Sequence, residues 1–503
     1  MFSKLKTKYT SMPIQVKASL WFLICTFMQK AVSVISTPIF TRLMTPEQYG
    51  QYNVFQSWMG IVTVIVTLNL SLGVFLQGLV KFEDEAKIYA SSMQGLTLLL
   101  CSAWTVVYLI FRQFFNDLLG LTTVQMCAML VLIWTTAAFQ FWSAEQRVNN
   151  KYRLLVTLTL VVTLSKPALG VVLVIFSDDA YKATARILAL VIVEIAAYAW
   201  CSFIQLKRGK TFYSKKFWIY ALKFNLPLVP HYLSQTLLYG SDRIMISRYI
   251  NDGAAGVYSL AYSVAVIMTM FNTALSQTMG PWIYRKIKDK KPQDMAPVIY
   301  TTMLIIAAAN LMLIMLAPEA ISIFAPAQYS DAKWVIPPVA LSVFFMYMYD
   351  TFAAFQFYYE KSWFIMAASI SGAALNIVLN YFFLSPRWFN FGYVAAGYST
   401  LICYILYAVG HYICMRWVCR KHLGGVRVYD PKVLLGVSSC FVLAGLLLST
   451  TYDVPVLRYS FVGVILVLLI IFRKQAIAFV KKLMALRKSG DSEETAEAQA
   501  STE

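Results

Sequence analysis

Six ionisable residues stand inside otherwise apolar stretches: Lys30, Lys166, Glu194, Asp242, Arg243 and Asp350. A lysine at mid-membrane depth costs about 2.5–3.5 kcal/mol on insertion scales, so three buried cations would oppose insertion by about 8–10 kcal/mol if nothing compensated. Each must therefore meet a counter-ion or a water-filled cavity, and both readings are open at this stage. For Lys30 the candidate counter-ions are Asp350 and Glu194, the acidic residues deepest in apolar stretches. Lys166 is too far from either end to snorkel, so cavity exposure is expected. Asp242 and Arg243 suit an ion pair, an interfacial cap or a cavity lining. Lys30, Lys166 and Arg243 are the candidate ligands for an anionic cargo. Asp242, Glu194 and Asp350 are candidate proton or sodium carriers, or else neutralise a lysine.

Uncharged polar residues line up with these charges. Thr26, Ser33, Thr37 and Thr41 surround Lys30 at helical spacing, and Gln29 precedes it. His231, Gln235 and Tyr239 lie on approximately the face of Asp242, whereas Asn53, Gln56, Gly60, Thr63, Thr67 and Ser71 form one seam. Tyr262, Thr269, Asn272 and Ser276 form another. Such stripes serve helix packing more often than solute passage, but their coincidence with the charges favours a cavity, with Gln29, Ser33, Asn53, His231, Gln235 and Asn272 as its polar lining. His411 and His422 read as ordinary interfacial residues. No Walker A, GxSxG or HExxH spacing is present, and the eight cysteines form no CxxC pair. Neither an enzyme nor a cofactor or metal site is expected.

The elements that must position these residues are membrane spans. The chain of 503 residues is 59% hydrophobic and only 13% charged, with a mean hydropathy of +0.62, against about 45–50% and 25% in soluble domains. An all-α polytopic protein follows, because about 20 apolar residues cross the hydrocarbon as one helix. Fourteen stretches qualify: 18–40, 51–74, 89–111, 120–142, 154–176, 186–206, 217–240, 255–279, 297–317, 334–356, 363–384, 392–415, 432–450 and 456–473. The first is too long for a signal sequence and reads as a retained span.

With the N-terminus inside, 31 of the 43 Lys and Arg fall on cytoplasmic segments, including Lys207–Lys216, Arg285–Lys291, Arg416–Lys432 and Arg473–Lys488. The formal charge of +19 is therefore chiefly an orientation code that also meets anionic lipid, and no nucleic-acid partner is implied. Outside loops are short, which argues against a polysaccharide polymerase. The acidic tail after Gly490 reads as disordered.

At an offset of 206 residues the chain matches itself at Lys17/Lys223, Gln29/Gln235, Arg42/Arg248, Gly50/Gly256, Tyr52/Tyr258, Ser57/Ser263 and Thr67/Thr273, among others. Six spans separate the copies, so the halves share one orientation, as in parallel-repeat transporters. The expected organisation is an N-lobe at 1–206 (spans 1–6), a cytoplasmic linker at 207–216 and a C-lobe at 217–416 (spans 7–12). An extra helix pair at 417–475 and a basic then acidic tail at 476–503 follow. Pro227 and Pro230 should break the start of span 7.

The segments STPIFTRLMTPEQYGQYNVFQSW (36–58), LPLVPHYLSQTLLYGSDRIMISRYINDGAAGVYSLAYSVA (226–265) and GAALNIVLNYFFLSPRWFNFGYVAAGYST (372–400) resemble the polysaccharide transporter family. These are Wzx-type oligosaccharide flippases of the multidrug/oligosaccharidyl-lipid/polysaccharide exporter superfamily. The resemblance implies two six-helix lobes, a cationic central cavity, and export of undecaprenyl-pyrophosphate-linked repeat units by alternating access for capsule, exopolysaccharide or O-antigen-like glycans. It implies a cytoplasmic-membrane protein that works beside a polymerase and other glycan-assembly proteins. The extra pair departs from the family's twelve spans and is similar to lipid II flippases. A lipid II flippase and a multidrug exporter are thus the alternatives.

Overall fold

A computed structural model describes residues 13–471, which fold as eighteen α-helices joined by turns and short 3-10 segments, with no strand among the described residues. The all-α expectation is met. The basic residues Lys4, Lys6 and Lys8, the Arg473–Lys488 cluster, the end of the expected helix pair and the 476–503 tail lie outside the described residues.

The helices are α1 Ile14–Leu43, α2 Pro46–Thr67, α3 Val74–Lys81, α4 Ala86–Ile110, α5 Arg112–Leu119, α6 Thr123–Val148, α7 Tyr152–Ile175, α8 Lys182–Gly209 and α9 Lys215–Asn225. They continue as α10 Val229–Tyr249, α11 Asp252–Lys288, α12 Ala296–Met315, α13 Ala317–Phe324, α14 Ile336–Tyr358, α15 Ser362–Leu384, α16 Val394–His422, α17 Pro431–Ser449 and α18 Pro455–Ile471. Among the described residues, eleven helices are long and apolar enough to cross a membrane. The three other expected spans are α2, α10 and α18. The first two are the polar helices that carry Asn53 and Asp242, and α18 is described over Pro455–Ile471, where the described residues end.

Local chemistry explains the boundaries. Thr45 and Gln48 form a capping box with Pro46 in the first turn, so α2 starts at 46; Thr122 and Gln125 do the same for α6. Span 2, expected to reach 74, stops at Thr67 because Leu68 and Asn69 both take left-handed backbone angles, φ 51°. The expected break in span 7 is present: Leu226–Leu228 form a 3-10 turn between α9 and α10, with Pro227 within it and Pro230 in the first turn of α10. The side-chain amide of buried Asn225 donates to the carbonyl of Leu68, tying this break to the end of α2. Residues 207–216, expected as a linker, include the end of α8 and a turn docked on α4, where Ser91 Oγ donates to Thr211 O at 2.8 Å. Trp218 Nε1 then donates to Ser92 O at 2.9 Å.

The chain divides into two compact units, Met1–Gly256 and Val257–Glu503. In the first, α8 packs on α4, α6 and α7, α1 lies on α7, and α2 pairs with α10. In the second, α14 packs chiefly on α16, while α12 and α17 cover its other side. The repeat is visible in a reciprocal contact within the first unit. A Cβ on Gly50 would stand 1.8 Å from the carbonyl oxygen of Asp252, and one on Gly256 would stand 2.0 Å from that of Pro46. These pairs, 46/252 and 50/256, are both 206 residues apart, so equivalent residues of the two hairpins exchange equivalent contacts. Only glycine permits this approach.

Candidate functional site

Lys166 and Glu194 face each other between α7 and α8, with Nζ 2.6 Å from Oε1. The second carboxylate oxygen accepts hydrogen bonds from Thr135 Oγ1 and Thr136 Oγ1 on α6, both at 2.8 Å. A buried carboxylate needs both oxygens satisfied, and consecutive threonines on one neighbouring helix supply that here. Tyr198, one turn beyond Glu194, places its ring 6.0 Å from Lys166 Nζ and stacks on Phe139 at 4.1 Å. Lys166 therefore enters the site as a neutralised cation, and Glu194 is engaged by Lys166 rather than left for Lys30.

Lys30 lies near the middle of α1, half-buried between exposed Gln29 and the exposed Ser33 one turn on. Among the described residues its Nζ makes no hydrogen bond or ion pair. The hydroxyls around it are self-satisfied: Thr26 donates to Phe22 O and Thr37 to Ser33 O, each at 3.0 Å. This i−4 back-bonding leaves the hydroxyl proton committed to the helix, so Lys30 remains as a cationic donor on an otherwise neutral stripe.

The polar seam of α2 behaves in the same way. Asn53 Nδ2 donates to Tyr49 O at 2.7 Å and Ser57 Oγ to Asn53 O at 3.0 Å. Gly60 lies against Thr236, and Gly240 of α10 against Ser57, so at these positions the seam is a helix-packing surface of small residues. On α10, Asp242 and Arg243 are buried, six or more residues before the helix ends. Arg243 Nη1 donates to Tyr239 O at 2.8 Å. Gln235 is exposed, whereas His231 is half-buried and its Nδ1 has no hydrogen-bond partner among the described residues.

In the second unit Asp350 of α14 accepts from Ser276 Oγ of α11 at 3.1 Å. One turn before Ser276, Asn272 is fully buried with neither amide atom hydrogen-bonded among the described residues. An unsatisfied buried amide costs about 1–3 kcal/mol, which marks this spot as one able to take a small polar ligand or ion. His411, expected to be interfacial, is instead buried in α16: its Nδ1 lies 2.9 Å from Gln356 Oε1, and Gln356 Nε2 donates to His411 O at 3.2 Å. His422 stacks on Tyr359, centroids 4.4 Å apart.

Three polar assemblies escaped sequence reasoning. Near the C-terminal end of α6, Glu145 pairs with Arg208 at 2.6 Å and accepts from Gln205 at 2.8 Å; Gln205 in turn accepts from Gln94 at 2.7 Å. In the second unit a relay of Asn376, Asn380, Ser399 and Thr400 joins α15 to α16. Near the start of α8, the Arg186 guanidinium is 3.7 Å from the ring centre of Phe40 and 3.6 Å from that of Tyr52, a cation–π sandwich. The i,i+4 asparagines at 376 and 380 were a readable signal. The partners of Glu145 and Arg186 lie 60 or more residues away in sequence, and nothing in local spacing announces them.

A helical membrane protein with pseudo-repeated hairpins and isolated intramembrane charges is, as a class, a transporter. The profile of the polysaccharide biosynthesis protein family matches residues 16–286, and the MatE profile residues 227–382. The first covers more than half of the chain, which therefore belongs to the polysaccharide biosynthesis protein family. A protein of the Lsg locus of Haemophilus influenzae is 22% identical over 382 residues, 72% of this chain and 89% of that one. The structure is similar to the lipid II flippase MurJ in an inward closed conformation, with a TM-score of 0.67 and 15% identity over 91% of this chain and 100% of that one. It is also similar to an inward-facing multidrug resistance MATE family transporter of the MOP superfamily, with a TM-score of 0.59 and 12% identity over 79% and 95% of the two chains. These likenesses show the fold and bear out the family resemblance read from the sequence.

Proposed function

We propose that this transporter-family protein moves undecaprenyl-pyrophosphate-linked oligosaccharide repeat units across the cytoplasmic membrane by alternating access, with both termini in the cytoplasm. It would serve synthesis of a capsule, exopolysaccharide or O-antigen-like glycan, handing its product to a polymerase and its assembly partners. The carrying observation is Lys30, a mid-helix cation that Glu194 does not neutralise and that no other described residue pairs with. A pyrophosphate can replace the lost hydration of such a lysine, which an organic cation cannot do. Arg243 is the second candidate ligand. Lys166, already paired, acts by shaping the wall beside Tyr198 and Phe139.

A groove of about 620 Å³ between α14, α16 and α17, lined by Phe345, Met348, Phe352, Leu434 and Leu435 among others, offers an apolar surface for a polyprenyl tail. Because α17 belongs to the extra helix pair and the MurJ chain is matched over its full length, lipid II is the second reading. Coupling to protons or sodium is assigned to Asp350, with Ser276 and Asn272 beside it, and Asp242 is the other candidate; Glu194 is engaged by Lys166. Proteoliposomes offered undecaprenyl-pyrophosphate oligosaccharide, lipid II or an organic cation decide among the cargoes. Transfer of the first is expected, and transfer of the organic cation alone would overturn the proposal.

A further inference from the structure

The guanidinium of Arg186 is held between two rings that one helical hairpin supplies. Phe40 comes from the last turn of α1 and Tyr52 from the second turn of α2, with ring centres 3.7 and 3.6 Å from the guanidinium carbon. Short-range chemistry fixes this clamp. The Thr45 capping box sets where α2 starts, and Gln48 Nε2 donates to Asp179 O at 2.7 Å, tying that start to the segment leading into α8. Phe40 is buried, and its ring fills a notch at Gly170 of α7, where a Cβ would stand 2.9 Å from it.

Stacking covers the two faces of a guanidinium and leaves its edge, where the N–H donors lie. Among the described residues that edge meets only the Met44 thioether, 4.0 Å from Nη1, and a thioether is a weak acceptor. Lys182, one turn earlier, is paired with Asp179 at 2.7 Å, whereas Arg186 has no carboxylate partner among the described residues. Arg186 is half-buried, and none of its nitrogens is both buried and unpartnered, so the rest of the edge is open to solvent. At the rim of the stacked ring, the Tyr52 hydroxyl accepts from Gln56 Nε2 at 3.1 Å, and its own proton has no acceptor among the described residues. A fixed cationic fork with a phenol donor beside it is complementary to a phosphoryl group.

We propose that Arg186 and the Tyr52 hydroxyl form a second binding site for a phosphoryl oxyanion, the diphosphate of the transported lipid. Phe40 lies ten residues after Lys30 on α1, about 15 Å along the helix, and with both termini in the cytoplasm this is the outward end. Lys30 then holds the diphosphate within the membrane and Arg186 receives it before release, a role that rests on the cargo proposed above. Passage between two sites spares the anion full rehydration in one step and keeps either site from trapping it.

The test is binding of undecaprenyl pyrophosphate to the full chain in detergent, read by microscale thermophoresis in a Lys30→Gln background so that the first site is removed. Arg186→Met, which keeps a side chain between the rings and removes the fork, should weaken this binding about 10-fold or more. Arg186→Lys should fall between, because an ammonium keeps the charge without the fork. Arg112→Gln removes an exposed arginine outside the clamp and should change nothing. Should Arg186→Met fold poorly, Tyr52→Phe keeps the ring and removes only the hydroxyl, and it should weaken binding about 3-fold. Undecaprenol should not compete. Loss of all binding in Lys30→Gln alone, or equal binding with and without Arg186→Met, would overturn the proposal. So would inorganic pyrophosphate bound as tightly as the lipid, which would make this a free-anion site. Either result, with flipping still lost in Lys30→Gln, leaves the cargo reading standing; no binding of undecaprenyl pyrophosphate by the unaltered chain removes both.

Discussion

Lys30 and Lys166 look alike in the sequence, each a lone cation in an apolar stretch, and the structure separates them by what lies opposite. Glu194 on α8 neutralises Lys166, and Thr135 and Thr136 on α6 satisfy the other oxygen of that carboxylate. Removing one partner of such a pair strands the other, at a cost of about 3–5 kcal/mol when burial is complete. The Lys166 side chain is 28% exposed, so Glu194→Gln should fall toward the low end of that range, lowering the unfolding temperature in detergent by several degrees. Lys166→Met/Glu194→Leu should recover most of the loss. If the single variant unfolds with the unaltered protein, the pair is not structural. Asp350 belongs to the other category, with one neutral donor, Ser276, against it. Asp350→Asn should abolish stimulation of transport by an imposed proton or sodium gradient while leaving cargo exchange without a gradient; unchanged stimulation would remove Asp350 from coupling. Sequence could mark these charges because an ionisable group is conspicuous among Leu and Val. It could not pair them, because Thr135 and Glu194 are 59 residues apart and meet only through packing.

At the scale of helices, turn chemistry was legible and helix length was less so. Thr45-Pro46-Glu47-Gln48 announced its capping box and Pro227/Pro230 their break, since both act within a few residues. The left-handed pair Leu68–Asn69 carries no such mark, and span 2 was accordingly drawn seven residues too long. The two most polar long helices of the first unit, α2 and α10, pack on each other, so the polar stripes that suggested a solute path are partly a seam between them. Gly50 tests the repeat directly. Gly50→Ala puts a methyl where a carbonyl oxygen lies 1.8 Å away, which overpacking prices at about 1–3 kcal/mol or more. Gly280→Ala meets nothing within 4 Å and serves as control. A clear fall in unfolding temperature for the first and none for the second is expected; equal behaviour would refute the back-to-back hairpins.

For the whole molecule, hydropathy and charge placement were enough to give an all-helical membrane protein, because both follow from the solvent and need no knowledge of contacts. The apolar stretches at 51–74 and 217–240 read as spans, although α2 and α10, which occupy most of them, are not as apolar as the eleven helices that meet the criterion for crossing. These two helices carry several of the candidate site residues, Asn53 on α2 and His231, Asp242 and Arg243 on α10. The formal +19 divides accordingly, the bulk of it on loops and helix ends and a small remainder within the apolar helices. That remainder shrinks further once Lys166 is subtracted, and the central claim then rests on Lys30 as the ligand of a lipid-linked pyrophosphate. Reconstituted flipping of an undecaprenyl-pyrophosphate oligosaccharide by Lys30→Gln, compared with Lys30→Arg and the unaltered chain at matched insertion, measures this. The account predicts at least a 10-fold loss for Lys30→Gln, with Lys30→Arg retaining a substantial part of the rate; flipping by Lys30→Gln at the unaltered rate would contradict it.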